Sequence, residues 1–266
     1  MVRTTLTAAE EANRMNAIRR FTSSIRRRLL RRGIPYVVTI TEFDSSGVRF
    51  QMKSPTEHFR VISHGGETEY LAAMLDDLCR DDVLFDIGAN IGMVSLHAAK
   101  ICQTVAFEPD PSFRSRLSVN MGLNPDRAFA LEPIAVSDTD STVQLFTDGA
   151  DGNSPSLVRT DEGQSVTVPA RSLDSLMAEG RLPQPTVIKL DIEGAEILAL
   201  RGAKRLLTGP NRPRALFIEV HDTYLPGFGS SADEVHALLH EYGYTDDVYR
   251  TKRYDQTHLI LHRTAT

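Results

Sequence analysis

The chain has few cysteines and no long apolar run. Its two cysteines, Cys79 and Cys102, cannot build a disulfide framework or a cysteine-based zinc site by themselves. We therefore expect both to be small, buried hydrophobic side chains. No apolar run approaches the roughly 20 residues that span a bilayer, and the N-terminus lacks the apolar core of a signal peptide. These absences predict a protein whose bulk is soluble, in a reducing cytoplasm.

The length and composition fit one α/β domain with a small appendage. The chain has 266 residues, of which 41% are hydrophobic and 24% charged, as in ordinary globular proteins. Its charge is uneven: residues 1–32 carry nine arginines and two glutamates, net +7, which leaves −12 for the remainder because the total is −5. The acidic body argues against a nucleic acid partner.

The basic segment 13–32 has the spacing of an amphipathic helix, with apolar residues separated by three, four and four positions: Ile18, Phe21, Ile25 and Leu29. Such a helix can contact an anionic membrane, here the inner membrane face, through residues 14–32, or it can guide an anionic substrate. The alternative is a helix packed on the body with its basic face in solvent.

Periodicity divides the rest of the chain into strands and helices. Helical spacing is found at residues 68–78, after Gly92, at 113–121 and at 231–242. Strands are predicted at residues 36–40, 48–52, 59–62, 83–87, 104–108, 128–136, 142–146, 165–170, 186–192, 215–220, 247–249 and 258–261. Pro133 marks an irregular position in the strand at 128–136.

Residues 83–92 predict a cofactor-binding corner. They read Val-Leu-Phe-Asp-Ile-Gly-Ala-Asn-Ile-Gly, an apolar strand that enters a glycine-rich turn and then a helix. Such a turn presents backbone N–H groups and a positive helix end beside the strand's carboxyl edge. We expect Gly88 to make the tight turn and Gly92 to allow a close approach to the strand or the ligand.

Two acids narrow the choice of ligand. Asp86 ends the first strand, and Glu108 ends the second, where an acid commonly binds the two ribose hydroxyls of an adenosine cofactor. A carboxylate at Asp86 would repel the pyrophosphate of a dinucleotide but attract the ammonium and sulfonium of S-adenosylmethionine. The pattern Gly-x-Asn-x-Gly also departs from the dinucleotide fingerprint. S-adenosylmethionine is therefore favoured over a nicotinamide cofactor, which would make the protein an oxidoreductase.

Charged residues follow two further apolar strands. Lys189, Asp191 and Glu193 lie at the end of the strand at 186–192, and Glu219 and His221 end the next strand. Charges on such apolar strands are costly unless they pair or bind something, so we interpret these five residues as catalytic candidates. His221 is the natural general base, because an ordinary histidine pKa of about 6.5 allows it to accept a proton at neutral pH.

Three motifs resemble those of the FkbM family of S-adenosylmethionine-dependent methyltransferases. They are Phe-Asp-Ile-Gly-Ala-Asn-Ile-Gly at 85–92, Ala-Phe-Glu-Pro at 106–109 and Ile-Lys-Leu-Asp-Ile-Glu-Gly-Ala-Glu at 188–196. The resemblance covers residues 69–221. It implies a Rossmann-like class I methyltransferase fold: α/β, with a mostly parallel seven-stranded sheet, an antiparallel last strand and helices on both faces. We expect this domain at residues 67–266, after a helix and short β extension at 1–66.

The resemblance also implies which residues contact the ligands. Glu69 would approach the methionine end of the donor, while Ala135, Val136 and Ser137 would border the adenine. The other residues expected to bind the donor are Asp86, Gly88, Ala89, Asn90, Gly92, Glu108, Pro109 and Asp191. In the long polar loop 148–163, Asn153, Ser154 and Ser156 resemble the family's acceptor-binding residues, to which we add Glu193.

The resemblance implies O-methylation, and the acceptor stays open. A sugar, a glycolipid or another secondary metabolite would be methylated on a hydroxyl or a carboxylate, and the arginine-rich head favours a lipid-linked or otherwise anionic saccharide. A hydroxyl must lose its proton to His221, Asp191 or Glu219. A divalent metal held by Asp191 with Glu193 or Glu219 is an alternative, although no metal ligand is assigned. A non-catalytic adenosine-ligand sensor that docks on anionic membranes also stays open.

One other histidine pair resembles part of a metal site. His236 and His240 have the i, i+4 spacing of zinc ligands. They lack the glutamate directly after the first histidine that a metalloprotease motif requires.

Overall fold

The structure is a computed structural model that describes residues 26, 28–63, 66–147, 156–157 and 164–264. Most of the predicted basic helix, residues 13–25 and 27, therefore lies outside the described residues, as do Asn153 and Ser154. Residues 26 and 28–31 are helical. Within the described ranges, no helix is both long and apolar enough to cross a membrane.

Besides the helical residues 26 and 28–31, twelve strands and eight α-helices are defined within these ranges. The strands are β1 (Tyr36–Ile40), β2 (Val48–Met52), β3 (Val83–Ile87), β4 (Gln103–Phe107), β5 (Ala130–Glu132), β6 (Ala135–Val136), β7 (Ser141–Thr147), β8 (Gln164–Arg171), β9 (Val187–Leu190), β10 (Ala215–His221), β11 (Tyr244–Arg253) and β12 (Gln256–Arg263). The helices are α1 (Pro55–Ile62), α2 (Thr68–Asp77), α3 (Met93–Ala98), α4 (Pro111–Leu123), α5 (Leu173–Ala178), α6 (Glu196–Arg201), α7 (Lys204–Thr208) and α8 (Ala232–Glu241). A short 3₁₀ helix spans Leu225–Phe228.

Seven strands form the central sheet in the order β11-β12-β10-β9-β3-β4-β5. The pairs between β10, β9, β3, β4 and β5 are parallel, whereas β12 is antiparallel to both of its neighbours. The predicted Rossmann-like class I methyltransferase fold, with its mostly parallel seven-stranded sheet and antiparallel last strand, is confirmed.

The central strands are mostly apolar because helices cover both faces of the sheet. Successive residues of a strand point to opposite faces. Leu84 accordingly packs in the same cluster as Tyr70 and Met74 of α2. Its neighbour Phe85 packs on the other face with Ile197 of α6.

The predicted strand at 128–136 is divided between two sheets. Residues of β5 pair with β4 in the central sheet, whereas β6 pairs with β8 in a separate three-stranded sheet of order β6-β8-β7. Pro133 lies between β5 and β6 and has no amide hydrogen for a ladder bond, which explains the break.

The predicted strand at 59–62 is wrong, because these residues belong to helix α1. Ser54 caps this helix by accepting a hydrogen bond from the Glu57 amide at 3.1 Å, and Pro55 occupies the first turn. A serine cap followed by proline is a strong helix start, and it outweighs the β-forming residues later in the segment.

The β1–β2 hairpin and α1 are fixed to α4 by a buried ion pair. Arg116 Nε lies 2.5 Å from Glu57 Oε1, and Glu57 is fully buried. The Arg116 guanidinium also donates to the Gln51 carbonyl oxygen at 2.9 Å. Because one charge compensates the other in an apolar environment, removing either partner leaves a buried charge.

We expect Arg116→Ala to lower the free energy of unfolding by about 3–5 kcal/mol, since it leaves the Glu57 carboxylate unpaired. Denaturant titration measures this change. The control is Arg205→Ala, which removes an exposed pair with Asp174 and should cost less than about 1 kcal/mol. Equal losses in the two variants would contradict this account.

Candidate functional site

The candidate site lies at the carboxyl ends of β3, β4, β9 and β10. In the central sheet β3 lies between β4 and β9. The strands that follow β3 in the chain continue the sheet on one side through β4 and β5 and on the other side through β9 and β10, so the strand order reverses at β3. This reversal opens a crevice beyond the strand ends, where ligands of open α/β sheets bind.

Gly88 allows the turns after β3 and β9 to touch. Its φ is +81°, and a Cβ at this position would lie 1.9 Å from the Asp191 carbonyl oxygen. Gly92 also has a positive φ, +92°, but a Cβ there would lie 3.3 Å from the Leu117 side chain. The close approach predicted for Gly92 therefore belongs to Gly88, whereas Gly92 is required for its left-handed backbone.

A narrow cavity runs from this turn between the ends of β3 and β4. It is lined by seven of the predicted donor-binding residues, Gly88, Asn90, Glu108, Pro109, Ala135, Val136 and Asp191, and also by Glu193. Ser137 lies outside the wall of this cavity; it is buried and its hydroxyl donates to Asp138.

Glu108 is held in place by the backbone. Its carboxylate accepts hydrogen bonds from the amides of Asn90 at 2.8 Å and Asp110 at 2.9 Å. Burial raises the pKa of Glu108 to about 8 in spite of these bonds. A fixed acceptor on a cavity wall suits the two hydroxyls of a ribose, the role predicted from the sequence.

A wider cleft of about 460 Å³ adjoins the narrow cavity, a volume typical of ligand sites. Four residues line both spaces: Gly88, Asn90, Asp191 and Glu193. The other ionisable residues of the cleft include Arg60, Glu67, Asp86, Lys189, Glu219 and Arg253, and its aromatic residues are Phe59, Tyr70, Tyr224 and Tyr254. Ala89 lines the cleft rather than the narrow cavity.

Lys189 joins two acids at the floor of the cleft. Its Nζ lies 3.3 Å from Asp86 Oδ1 and 3.2 Å from Asp191 Oδ2, and it donates to the Gly88 carbonyl oxygen at 2.9 Å. Burial alone would lower the pKa of Lys189, but Asp191 and Asp86 outweigh burial and hold it above its ordinary value. Asp86 thus forms an ion pair with Lys189. The sequence alone predicts Asp86 as a carboxylate without a partner.

His221 lies beneath the cleft among four carboxylates. Its Nδ1 is 2.9 Å from Glu196 Oε1, and its Nε2 is 3.4 Å from Glu193 Oε2. Nε2 also lies 3.5 Å from Glu219 Oε1 and 3.8 Å from Asp191 Oδ1.

This environment changes the expected protonation of His221. Burial alone would lower its pKa, but the hydrogen bond to Glu196 and the surrounding carboxylates raise the pKa to about 10. The imidazole is then protonated at neutral pH and cannot accept a proton. The expectation of an ordinary pKa, on which its role as general base depended, is corrected.

Two of the four carboxylates around His221, those of Glu219 and Asp191, differ in acidity. Burial raises the pKa of Glu219 to about 8, with Asp191 adding to the effect. Burial also acts to raise the pKa of Asp191, but Lys189 and His221 outweigh it and hold this pKa below its ordinary value. Both residues line the cleft.

Two residues that the sequence predicts as ligand contacts, Glu69 and Ser156, lie elsewhere than predicted. Glu69 is exposed on α2 and lies outside the cleft wall, whereas Glu67, just before the helix, lines the cleft. Burial raises the pKa of Glu67 to about 7. Ser156 is buried, and its hydroxyl donates to the Glu193 carbonyl oxygen at 3.1 Å.

The sequence reasoning also missed His258. This residue pairs with Glu219 across β12 and β10, and its Nε2 lies 3.5 Å from Glu219 Oε1. Both strands were predicted, but their register was not, so the contact was not found. Arg253, Tyr254 and Gln256 reach the cleft from the same hairpin.

Comparisons with known proteins match this part of the chain. A family model described as the methyltransferase FkbM domain matches residues 86–245. The hexuronic acid methyltransferase AglP of Haloferax volcanii is 30% identical over 182 residues, covering 68% of this chain and 74% of AglP. The 2-O-methyltransferase NoeI of Sinorhizobium fredii is 28% identical over 164 residues, 54% of this chain and 65% of NoeI.

Among solved structures, the chain is similar to the methyltransferase FkbM from Methylobacillus flagellatus. The TM-score is 0.47 at 18% identity, with 73% of this chain and 47% of that chain covered.

We expect Gly88→Ala to weaken S-adenosylhomocysteine binding by at least about 100-fold, because a Cβ would displace the turn that carries Asp191. Calorimetric titration measures the affinity. Gly122→Ala is the control: Gly122 lies in α4 with no atom near its added Cβ, and the change should stabilise the helix by up to about 1 kcal/mol. Unchanged binding in Gly88→Ala would refute the assignment of this turn to the donor site.

Binding of S-adenosylhomocysteine should tighten between about pH 6 and about pH 9, because a carboxylate accepts ribose hydroxyl bonds better than a neutral acid. The pKa of Glu108, raised to about 8, places its ionisation within this window. The affinity is measured at several pH values for the wild type and for Glu108→Gln. A pH dependence that persists unchanged in Glu108→Gln would contradict this role.

Proposed function

Because the chain belongs to the FkbM methyltransferase family, we propose that it transfers the methyl group of S-adenosylmethionine to a hydroxyl oxygen of a saccharide. The observation that carries this proposal is the junction of the two spaces. The narrow cavity suits an adenosine, the cleft suits an acceptor, and the two meet at Gly88, Asn90, Asp191 and Glu193. A methyl group carried on the donor's sulfur would be exchanged at this junction.

The residues of the narrow cavity suit the donor. Glu108 would hold the ribose hydroxyls, and Pro109, Ala135 and Val136 would contact the adenine. In the adjoining cleft, Asp86 Oδ1 is buried and, within the described structure, accepts no hydrogen bond, although Lys189 Nζ lies 3.3 Å from it. This oxygen and Asp191 provide negative charge for the donor's ammonium. When bound, S-adenosylmethionine supplies an activated methyl group, so the protein is not required to activate the carbon.

The main task of the chain is then to orient the acceptor and exclude water, effects that can supply several kcal/mol. The carboxylates of Asp191 and Glu219 line the cleft, so each offers an oxygen to the proton that a hydroxyl loses during attack. Behind them, His221 compensates their charge. Lys189 fixes Asp191 beside the turn at Gly88.

A hydroxyl acceptor fits this charge distribution better than a carboxylate. Asp191 and Glu193 line both spaces at the junction and would repel a carboxylate placed at the transfer point. One relative is named as a 2-O-methyltransferase, which supports an alcohol oxygen as acceptor.

The rim of the cleft suits an acidic sugar held away from its reacting hydroxyl. Phe59 and Tyr254 are exposed there, at 51% and 86%, and offer apolar faces to a sugar ring. Arg60 and Arg253 also line the cleft, and guanidinium groups bind carboxylates well. The relative named as a hexuronic acid methyltransferase supports an acceptor with a carboxylate.

Transfer of a radiolabelled methyl group to uronate-terminated and neutral oligosaccharides tests the proposal. We expect label in the saccharide, and the label should survive mild alkali because a methyl ether resists hydrolysis. Label released by alkali would indicate a methyl ester and a carboxylate acceptor. Absence of transfer to any saccharide, with the donor bound, would contradict the proposed acceptor class.

Arg60→Gln should raise KM for the uronate-terminated acceptor by about 10-fold or more, with little change in kcat, because it removes a charged contact distant from the reacting oxygen. Steady-state kinetics with charged and neutral acceptors measure this difference. The control is Arg49→Gln, since Arg49 is exposed on β2 and is not part of the cleft wall. Equal effects on both acceptors would show that Arg60 does not recognise the carboxylate.

A further inference from the structure

His221 has one ring nitrogen that the mechanism leaves unused. The side chain is 2% exposed, and within the described structure its Nε2 has no hydrogen-bond partner. Carboxylate oxygens of Glu193, Glu219 and Asp191 lie 3.4, 3.5 and 3.8 Å from this nitrogen. Without a metal, the proton on the imidazole is the cation that these carboxylates face. A divalent metal would replace this proton and give Nε2 the partner that it lacks.

We propose that Asp191, Glu219 and His221 bind a divalent transition-metal ion at the junction of the narrow cavity and the cleft. One ligand atom from each of these residues lies within 4.8 Å of the other two. A metal with ligands at 2.0–2.2 Å in a tetrahedral arrangement separates them by about 3.4 Å. The nitrogen-to-oxygen distances of 3.5 and 3.8 Å lie close to this separation.

The other nitrogen of His221 has the partner that a metal ligand normally has. Nδ1 lies 2.9 Å from Glu196 Oε1, and Glu196 is fully buried. The same carboxylate oxygen accepts a hydrogen bond from the Gly194 amide at 3.0 Å. A carboxylate on the remote nitrogen fixes the ring and directs Nε2 toward a metal. Glu196 is thus a positioning residue for the proposed site.

A second group of possible ligands shares Glu219. Glu67, Glu219 and His258 also bring their ligand atoms within 4.8 Å of one another, and His258 Nε2 has no hydrogen-bond partner in the described structure. We favour the His221 group because Glu196 orients its histidine and because Asp191 lines both spaces. Because Glu219 belongs to both groups, only one of them can bind an ion at a time.

The set of two carboxylates and one imidazole suits Mn²⁺ and neighbouring transition metals, with which both ligand types bind. At the junction such an ion would face the acceptor oxygen and lower the pKa of its hydroxyl. This catalytic role rests on the proposed function, whereas metal binding itself does not.

Titration of the chelator-treated full chain with Mn²⁺, followed by electron paramagnetic resonance and calorimetry, tests the site. We expect one Mn²⁺ per chain and at least about 100-fold weaker binding in His221→Ala and in Glu219→Gln. Glu196→Gln should weaken binding by about 10-fold or more. His240→Ala, which changes an exposed histidine on α8, should leave it unchanged.

Two results would overturn the assignment. One is absence of saturable Mn²⁺ binding to the wild-type chain. The other is loss of binding in His258→Ala with binding retained in His221→Ala, which would assign the ion to the second group. Circular dichroism and S-adenosylhomocysteine binding identify variants that fail to fold, and Glu219→Gln provides a test with little change in shape.

The metal proposal and the proposed function fail in different ways. Methyl transfer that continues after chelation, in a chain that binds no Mn²⁺, refutes the metal site alone. Specific Mn²⁺ binding by a chain that transfers no methyl group supports the metal site and refutes the proposed function.

Discussion

The site depends on the buried ammonium of Lys189. This group lies between Asp86 at the end of β3 and Asp191 just after β9, and it donates to the Gly88 carbonyl oxygen. Parallel pairing places Asp86 directly beside Lys189. Without the ammonium, two carboxylates would repel each other at the point where a glycine brings the two turns into contact. The geometry of the junction therefore follows from one lysine.

The same charges organise the space around the junction. Acids dominate the floor of the cleft, and arginines contribute to its wall. An acidic floor attracts a cationic donor and, as we infer, a divalent metal, whereas arginines can hold the carboxylate of an acidic sugar. Separate regions of one cleft can thus bind groups of opposite charge, which orients the acceptor with its hydroxyl toward the methyl group.

Local patterns predicted the donor side of the site, and tertiary contacts decided the rest. The glycine turn at 85–92 and Glu108 could be found because strand, turn and helix follow one another along the chain. The register that sets His258 opposite Glu219 cannot be derived from either strand alone. Likewise, the pKa of His221 depends on carboxylates of residues 191–196, which the pairing of β10 with β9 brings beside it. The sequence predicts a strand at 59–62 within the helix at 55–62, because these residues favour β structure locally while the serine cap that starts the helix lies before them.

The most direct test of this account is calorimetric titration of the wild-type chain with S-adenosylmethionine, S-adenosylhomocysteine and NAD. We expect each sulfur ligand to bind with one site per chain and NAD not to bind, because Asp86 and Asp191 favour a cationic ligand over a pyrophosphate. Binding of NAD, or binding of none of the three, would contradict the assignment of the narrow cavity as the site of the methyl donor.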